Sequence, residues 1–206
     1  MSTLSWFPMP VYVDKVLGEA KEKIEEELYA VYDKAKFAQN PQWTQDTNEL
    51  SVVNDSFFTT NELKDCTIFN DCIDFHLKEY LKQLATPTGL EYFIDNSWLT
   101  RTTKGKYIHQ HDHGNYDISG VYYLKVPQNS GNLVFLEPKA QAEVLSPPMR
   151  KNASIHLAHS VDMTPKENSL IFFPSWLQHE VQTNNSNDDR VIISFNINWR
   201  KDDADS

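Results

Sequence analysis

Two hydrophobic patterns divide the chain near residue 90. Before this point, apolar residues recur about every 3.6 positions in two segments, roughly 14–36 and 60–84, with Glu and Lys between them. Residues with this spacing share one face of a helix, so the pattern predicts two amphipathic helices. Candidate N-cap residues of the second helix are Thr59, Thr60 and Asn61.

The segments that flank the first predicted helix have other patterns. The opening LSWFPMPVYV is apolar and interrupted by proline, which is typical of a short edge strand. Residues 40–55 are mostly polar and predict a loop between the two helices.

Beyond residue 90, short runs rich in β-branched and aromatic residues alternate with polar, Pro or Gly turns. The predicted strands are EYFIDNSWLTRT, KYIHQH, ISGVYYLKV, NLVFLE, SLIFFP, HEVQT and RVIISFNINW. Many short strands behind two helices favour a mostly β fold, a sandwich or jelly roll with the helices packed on one sheet. No linker divides the sequence, so we expect one domain with a helical layer (1–90), a β core (91–200) and a tail (201–206).

Charge and composition narrow the classes of function. The 206 residues include 19 Lys and Arg against 29 Asp and Glu, a net charge of −10. Nucleic acids and anionic membranes bind concentrated positive charge, so we expect neither as a partner. The N-terminus lacks the basic start of a signal peptide, and no apolar run approaches the ~20 residues of a membrane span. With only Cys66 and Cys72, a disulfide framework is excluded, and we expect a cytoplasmic protein.

Three of the seven histidines fall within five positions, at His109, His111 and His113. On a strand, residues two apart share a face about 7 Å apart, so these side chains and Tyr107 would lie together. Two such imidazoles can bind one Fe(II), Zn or Cu ion, with His179 on a later strand as the third donor. This set would leave coordination positions open, as a catalytic metal requires. The alternative is a solvated histidine-rich loop.

Arg190 begins a predicted strand eleven residues after His179, and a polar turn between them indicates a hairpin. A buried charge needs a partner, and a carboxylate suits the two-pronged guanidinium. That carboxylate could belong to a ligand, or to Asp188 or Asp189. Alternation places Ser194 on the same face as Arg190, where its hydroxyl could reach the same carboxylate.

The order of the motifs HDHGNYDISGVYYL, SGNLVFLEP, FPSWLQHEV and RVIISFN resembles the 2-oxoglutarate- and Fe(II)-dependent oxygenases. It is most similar to small, prolyl-hydroxylase-like oxygenases of marine bacteria and their phages. WFPMPVYV is also similar, so the resemblance covers nearly the whole chain. It implies a double-stranded β-helix, which is a cupin-like jelly roll, with a helical N-terminal layer. It implies a hydroxylase that consumes 2-oxoglutarate and O2, releases succinate and CO2, and hydroxylates a substrate C–H bond.

The Fe(II) ligands that the resemblance implies are His111, His113 and His179, with no other catalytic side chain. His113 stands where most of these oxygenases have Asp or Glu, and this sequence contains no His-x-Asp or His-x-Glu. A histidine in place of a carboxylate removes one negative charge from the metal site, which is expected to weaken Fe(II) retention or alter reactivity. Asp112 and Asp117 remain alternative carboxylate ligands. His109 would replace His111 if the register slipped by two residues.

The resemblance also implies how 2-oxoglutarate binds. Arg190 would pair with its far carboxylate, Tyr123 would donate a hydroxyl to that carboxylate, and Ser194 would add a lesser contact. Candidate pocket walls are Trp98, Tyr107, Leu133 and Phe135. The loop from Gln141 to Pro165 is expected to border the pocket and to select the substrate, whether small molecule or peptide. Its two histidines, His156 and His159, are read as surface residues.

Two other functions remain open. The first is a cupin-like three-histidine metalloenzyme that does not use 2-oxoglutarate, which the role of Arg190 would distinguish. The second is a non-catalytic jelly-roll binding module with an incidental histidine cluster. The identity of the substrate and the oligomeric state, a homodimer included, cannot be read from this sequence.

Overall fold

The computed structural model describes residues 9–39, 49–51, 61, 63–86, 90–136 and 160–201. Within these ranges the chain forms two helices and eleven strands. In chain order they are β1 (Tyr12–Lys15), α1 (Gly18–Tyr32), β2 (Phe37–Gln39), β3 (Glu49–Ser51), α2 (Thr67–Gln83), β4 (Leu90–Thr102), β5 (Ile108–His111), β6 (Ile118–Lys125), β7 (Leu133–Leu136), β8 (Ser160–Met163), β9 (Ser169–Pro174), β10 (His179–Val181) and β11 (Arg190–Lys201).

The strands form two antiparallel sheets. The larger sheet has the order β1-β9-β6-β11-β4-β3-β2, and the smaller has the order β5-β10-β7-β8. Strand β11 lies near the centre of the larger sheet, between β4 and β6. The mostly β jelly roll predicted from the sequence is confirmed, including the two helices that pack on one sheet.

Side-chain alternation along β11 separates two hydrophobic cores. Val191, Ile193 and Phe195 point to the helices, where they join the buried residues of α1 and α2. Ile192 points the other way and packs between the sheets with residues such as Phe173. Both faces of this strand are covered, but only the face toward the helices is apolar; on the other face, Ile192 alternates with polar residues such as Ser194.

Helix α2 begins at Thr67, not near residue 60 as predicted. Asn61, one of the predicted caps, instead forms a β-bridge with Ser97, whose hydroxyl donates to the Asn61 side-chain oxygen. The other two predicted caps, Thr59 and Thr60, lie outside the described residues. Helix α1 is also shorter than predicted at both ends.

Three short strands were not predicted. Strands β2 and β3 fall at or beside the expected polar loop 40–55, and β8 falls in the expected loop 141–165. Each has only three or four residues, too few to show alternation, and each is held by a neighbouring strand. Arg101 of β4 contacts the carboxylate of Glu49 and lies 4.5 Å over the Phe37 ring, so it joins β2 and β3 to the sheet.

Of the predicted N-terminal edge strand, Tyr12 and Val13 lie in β1, which pairs with β9 at one edge of the larger sheet, whereas the predicted first helix included Asp14 and Lys15 of β1. Residues 4–8 of that prediction lie outside the described part of the chain. Cys66 and Cys72 are both free thiols. In the described ranges, neither helix is both long and apolar enough to cross a membrane.

The first turn of α2 is capped from another element. The backbone N–H groups of Ile68 and Phe69 donate to the carboxylate of Glu27 on α1, at 3.2 and 3.0 Å. A carboxylate in this place satisfies N–H groups that lack a helical partner and interacts favourably with the helix dipole. The cap also ties the two helices together.

We therefore expect Glu27→Ala to destabilise the protein. Loss of a helix cap typically costs about 1 kcal/mol, which for a chain of this size corresponds to a fall in Tm of roughly 2–4 °C. Urea unfolding of the two proteins measures the difference. Glu26→Ala, at an exposed neighbouring position, is the matched control. Equal stability of the two variants would contradict the cap.

Candidate metal centre and cosubstrate pocket

Three histidines converge between the two sheets. His111 ends β5, His113 follows two residues later, and His179 begins β10 directly opposite His111. Each offers a potential ligand atom within 4.8 Å of those of the other two. The ring centroids of His111 and His179 lie 4.2 Å apart, and those of His113 and His179 lie 5.3 Å apart. The structure thus brings the predicted set together.

A β-bulge changes the predicted geometry of β5. His179 pairs with His111 and Val181 pairs with Ile108, so two residues of β5 face one residue of β10. As a result, both Ile108 and His111 line the interior cavity, while His109 is exposed on the other side. The prediction that all the clustered histidines share one strand face is therefore wrong for His109.

Each of the three rings has an acceptor at Nδ1. His111 donates to the backbone carbonyl of His109 at 2.7 Å, and His179 donates to that of Leu177 at 2.9 Å. His113 donates to the side-chain oxygen of Asn196 at 2.6 Å. These bonds hold the tautomer in which Nε2 carries the lone pair that binds a metal.

Burial also keeps the three rings neutral. It lowers the pKa of His111 to about 4, with a further contribution from His113. Burial likewise lowers the pKa of His113, and that of His179 falls well below its ordinary value. Metal ligands must be deprotonated, so the cluster is ready to bind a cation at neutral pH.

The carboxylates considered as alternative ligands are engaged elsewhere. Asp112 is exposed and accepts the backbone N–H of Gly114 at 3.2 Å. Asp117 accepts the backbone N–H of Trp199 at 2.9 Å. Among the described residues, the only group arranged to hold a metal consists of histidines alone. The geometry therefore favours His113 over a carboxylate as the third donor.

Arg190 is almost fully buried at the start of β11, with 1% of its surface exposed. Its guanidinium donates to the carbonyl of Ser130 at 2.7 Å and to the hydroxyl of Thr102 at 3.2 Å, while its Nε lacks a partner. No carboxylate of the described residues pairs with it, so the expected alternative partners Asp188 and Asp189 are not used. A buried cation in this state fits an anionic ligand.

The loop that holds Arg190 depends on one glycine. Gly131, next to Ser130, has a φ of +86° and packs so closely on the backbone of Gln182 that a Cβ there would clash. Only glycine tolerates both conditions. The loop thereby brings its carbonyl groups within hydrogen-bonding distance of the guanidinium.

Tyr123 and Ser194 both line the cavity that contains the histidines. Burial raises the pKa of Tyr123 to about 12, and the charge of nearby Arg190 acts in the opposite direction. The Tyr123 hydroxyl is therefore protonated at neutral pH and can donate to an anion. Ser194 lies on the face of β11 that carries Arg190, as alternation predicted.

The walls of this cavity are largely apolar. They include Trp98, Ile108, Val121, Leu133, Phe173 and Ile192. Two of the four predicted wall residues, Trp98 and Leu133, are among them. Tyr107 lines a separate cleft on the outer side of the smaller sheet, and Phe135 packs in the core between the sheets.

Residues 96–196 match a family model described as "Putative 2OG-Fe(II) oxygenase". This match, which covers 101 of the 206 residues, indicates that the chain is a 2OG-Fe(II) oxygenase. The matched region runs from β4 to β11 and contains the three histidines and Arg190. This 2OG-Fe(II) oxygenase accordingly uses Fe(II), 2-oxoglutarate and O2, to which three neutral imidazoles and a buried guanidinium are chemically suited.

Solved structures with the same fold support the assignment of the architecture. A Pseudomonas putida prolyl-4-hydroxylase superposes with a TM-score of 0.60 at 14% identity, covering 94% of each chain. HygX from Streptomyces hygroscopicus, with nickel, 2-oxoglutarate and hygromycin B bound, has a TM-score of 0.59 at 13% identity, covering 92% of this oxygenase and 83% of HygX. No match is found among curated protein sequences.

A third similar structure is a prolyl hydroxylase from Trichoplax adhaerens in complex with a peptide fragment of the hypoxia inducible factor oxygen degradation domain. Its TM-score is 0.58 at 14% identity, covering 93% of this oxygenase and 83% of the other chain. At these identities the similarities show the shared jelly roll.

We expect His113→Ala and His179→Ala each to weaken metal binding by more than ~100-fold. Loss of a residue that only hydrogen-bonds to a ligand can already cost that much, and these variants would remove a ligand itself. Titration calorimetry with Ni(II), which is stable in air, measures the affinity. His109→Ala and Asp112→Asn are matched controls, because both side chains lie outside the cluster, and both should bind as the wild type does. A larger loss in Asp112→Asn than in His113→Ala would make the carboxylate the third ligand.

Proposed function

We propose that this oxygenase is a hydroxylase whose Fe(II) is held by His111, His113 and His179. The observation that carries the proposal is the buried guanidinium of Arg190, which lacks a carboxylate partner among the described residues. It lies on the strand face of Ile192 and Ser194, both of which line the cavity with the histidines. The three histidines and the positive charge of Arg190, beside the same cavity, suit a ligand with an acid group at each end.

Different residues of the chain would bind different parts of 2-oxoglutarate. Arg190 and Tyr123 would hold the carboxylate far from the metal, by charge-assisted hydrogen bonds, and Ser194 would add a hydroxyl. The apolar walls would exclude water and strengthen these interactions. Bound iron supplies the redox chemistry that activates O2.

The overall reaction balances with one substrate C–H bond, written R–H. R–H, 2-oxoglutarate and O2 give R–OH, succinate and CO2. One oxygen atom enters the new carboxylate of succinate and the other enters the hydroxyl group. Cleavage of the C–C bond of the keto acid and of the R–H bond each provides two of the four electrons that reduce O2.

The charges of the site favour an anionic ligand. Three neutral histidines leave the double positive charge of Fe(II) uncompensated by the protein, and the buried guanidinium of Arg190 adds a third positive charge. Dianionic 2-oxoglutarate would offset two of these three charges. This offset lowers the cost of burying positive charge in an apolar cavity.

We propose a peptidyl or small-molecule substrate and one domain for the whole chain, residues 1–206. Both substrate classes occur in the names of similar structures, a peptide fragment in one and hygromycin B in another. The single domain is supported by the core that the helices share with the larger sheet.

Selection of substrate by the loop 141–165 stays a prediction, because most of it lies outside the described residues. The cytoplasmic location and the oligomeric state likewise stay untested.

The binding of 2-oxoglutarate tests the proposal directly. With Ni(II)-loaded protein, we expect Arg190→Ala to weaken binding by about 30-fold or more, since truncating one partner of a buried charge pair costs 2–5 kcal/mol. Tyr123→Phe should weaken it by roughly tenfold, the effect of one hydrogen bond to a charged group. Calorimetry measures both, and Ni(II) affinity and Tm show whether each variant is folded.

A ligand without the far carboxylate gives the matched control. 2-Oxobutyrate can chelate a metal but offers nothing to Arg190, so the wild type and Arg190→Ala should bind it equally. If the wild type binds 2-oxoglutarate no better than 2-oxobutyrate, a three-histidine metalloenzyme of another chemistry is favoured. If purified wild-type protein without a tag binds no metal, the site is not catalytic. Succinate formation that requires both iron and 2-oxoglutarate supports the hydroxylase.

A further inference from the structure

The three proposed ligands are oriented by different kinds of acceptor. His111 and His179 donate to backbone carbonyls, which belong to the strands and turns themselves. His113 lies beyond the end of β5 and donates to a side chain, the amide oxygen of Asn196 on β11. The Ser119 hydroxyl also lies 3.1 Å from the same ring nitrogen, so Asn196 is the nearer of two side-chain partners at the third position of the cluster.

The orientation of this amide is determined by its neighbours. Asn196 Oδ1 accepts from His113 and, at 2.8 Å, from the hydroxyl of Ser119. Its Nδ2 donates to Asn96 at 3.0 Å, and Asn96 in turn donates to the hydroxyl of Tyr116 at 2.9 Å. A flipped amide would set its oxygen against the side-chain oxygen of Asn96 and its N–H groups against the donor of His113, so only one orientation satisfies the network.

The backbone places these groups in one row. Asn196 is paired directly with Asn96 on β4 and with Ser119 on β6, so the three polar residues lie side by side across the larger sheet. All three are at least 97% buried. Buried polar groups of this kind are stable only when every partner is present, which makes the row rigid.

We propose that Asn196 is a positioning residue that fixes the ring orientation and tautomer of His113, and thereby completes the metal site. The proposal rests on the proposed function, in which His113 is the third ligand. A neutral amide performs this role without adding charge beside three neutral imidazoles. Outer partners of metal-ligating histidines commonly set affinity in this way.

The test compares Asn196→Ala with Asn196→Asp. The alanine variant removes the acceptor, and we expect Ni(II) binding to weaken about 10–100-fold. The aspartate variant keeps an oxygen at the same place, and we expect an affinity within about threefold of the wild type. The visible spectrum of the Co(II)-loaded protein gives a second measurement, which should change in the alanine variant and be restored by aspartate.

A matched control separates positioning from stability. Asn168 is also a buried asparagine whose oxygen accepts a side-chain hydrogen bond, from Tyr122 at 2.7 Å, but it lies on the helical side of the sheet. Asn168→Ala should lower the Tm of the metal-free protein and leave Ni(II) affinity unchanged. Ser119→Ala keeps the amide but removes a hydroxyl that lies 2.8 Å from the amide oxygen and 3.1 Å from His113 Nδ1, and it should weaken Ni(II) binding less than Asn196→Ala.

The outcomes distinguish this inference from the proposed function. Wild-type protein that binds no Ni(II) overturns the proposed metal site itself. Wild-type binding together with unchanged binding by Asn196→Ala overturns only the positioning role. Equal losses in Asn196→Ala and Asn196→Asp would mean that the residue is merely structural, which also overturns the proposal.

Discussion

The alternation of side chains along β11 is the constraint on which the rest of the structure depends. One face of this strand is apolar and attaches the helices through residues such as Ile193 and Phe195. The other face carries Arg190, Ser194 and Asn196 toward the smaller sheet. Because successive residues must point to opposite faces, one strand joins the stabilising core to the candidate site. A shift of one residue would exchange the two faces and destroy both.

The candidate site places very little charge inside the protein. Burial keeps the histidines neutral, and the row beside His113 consists of amides and hydroxyls. The one cation, Arg190, has hydrogen bonds to Ser130 and Thr102 but no carboxylate partner in the described chain. Negative charge must then come from what binds. A site in which the protein supplies neutral or positive groups and the ligand supplies the negative charge suits a dianionic cosubstrate. It also keeps the empty cavity free of like-charge repulsion.

Local sequence predicted the elements that have long, uniform patterns. SLIFFP corresponds to β9 residue for residue, and RVIISFNINW lies within β11. The convergence of His111, His113 and His179 was also predicted, because motif order resembled a family whose fold brings them together. The predicted start of α2 was wrong, because the helix is capped by Glu27 of another helix. The short strands β2, β3 and β8 were not predicted. Such features depend on partners distant in sequence.

By itself, the sequence predicted the fold class, three histidines as candidate metal ligands, and the strand face of Arg190. Periodicity is a local property, so it gave the strand face, whereas the set of three histidines also rested on an order of motifs that resembles a known family. Only the tertiary structure decided that His109 turns away from the cluster, because the bulge arises from the pairing of β5 with β10. It alone showed that no carboxylate of the described residues pairs with Arg190, and that the amide oxygen of Asn196 accepts a hydrogen bond from His113. Each of these depends on atoms brought together by pairing and packing, which no local pattern encodes.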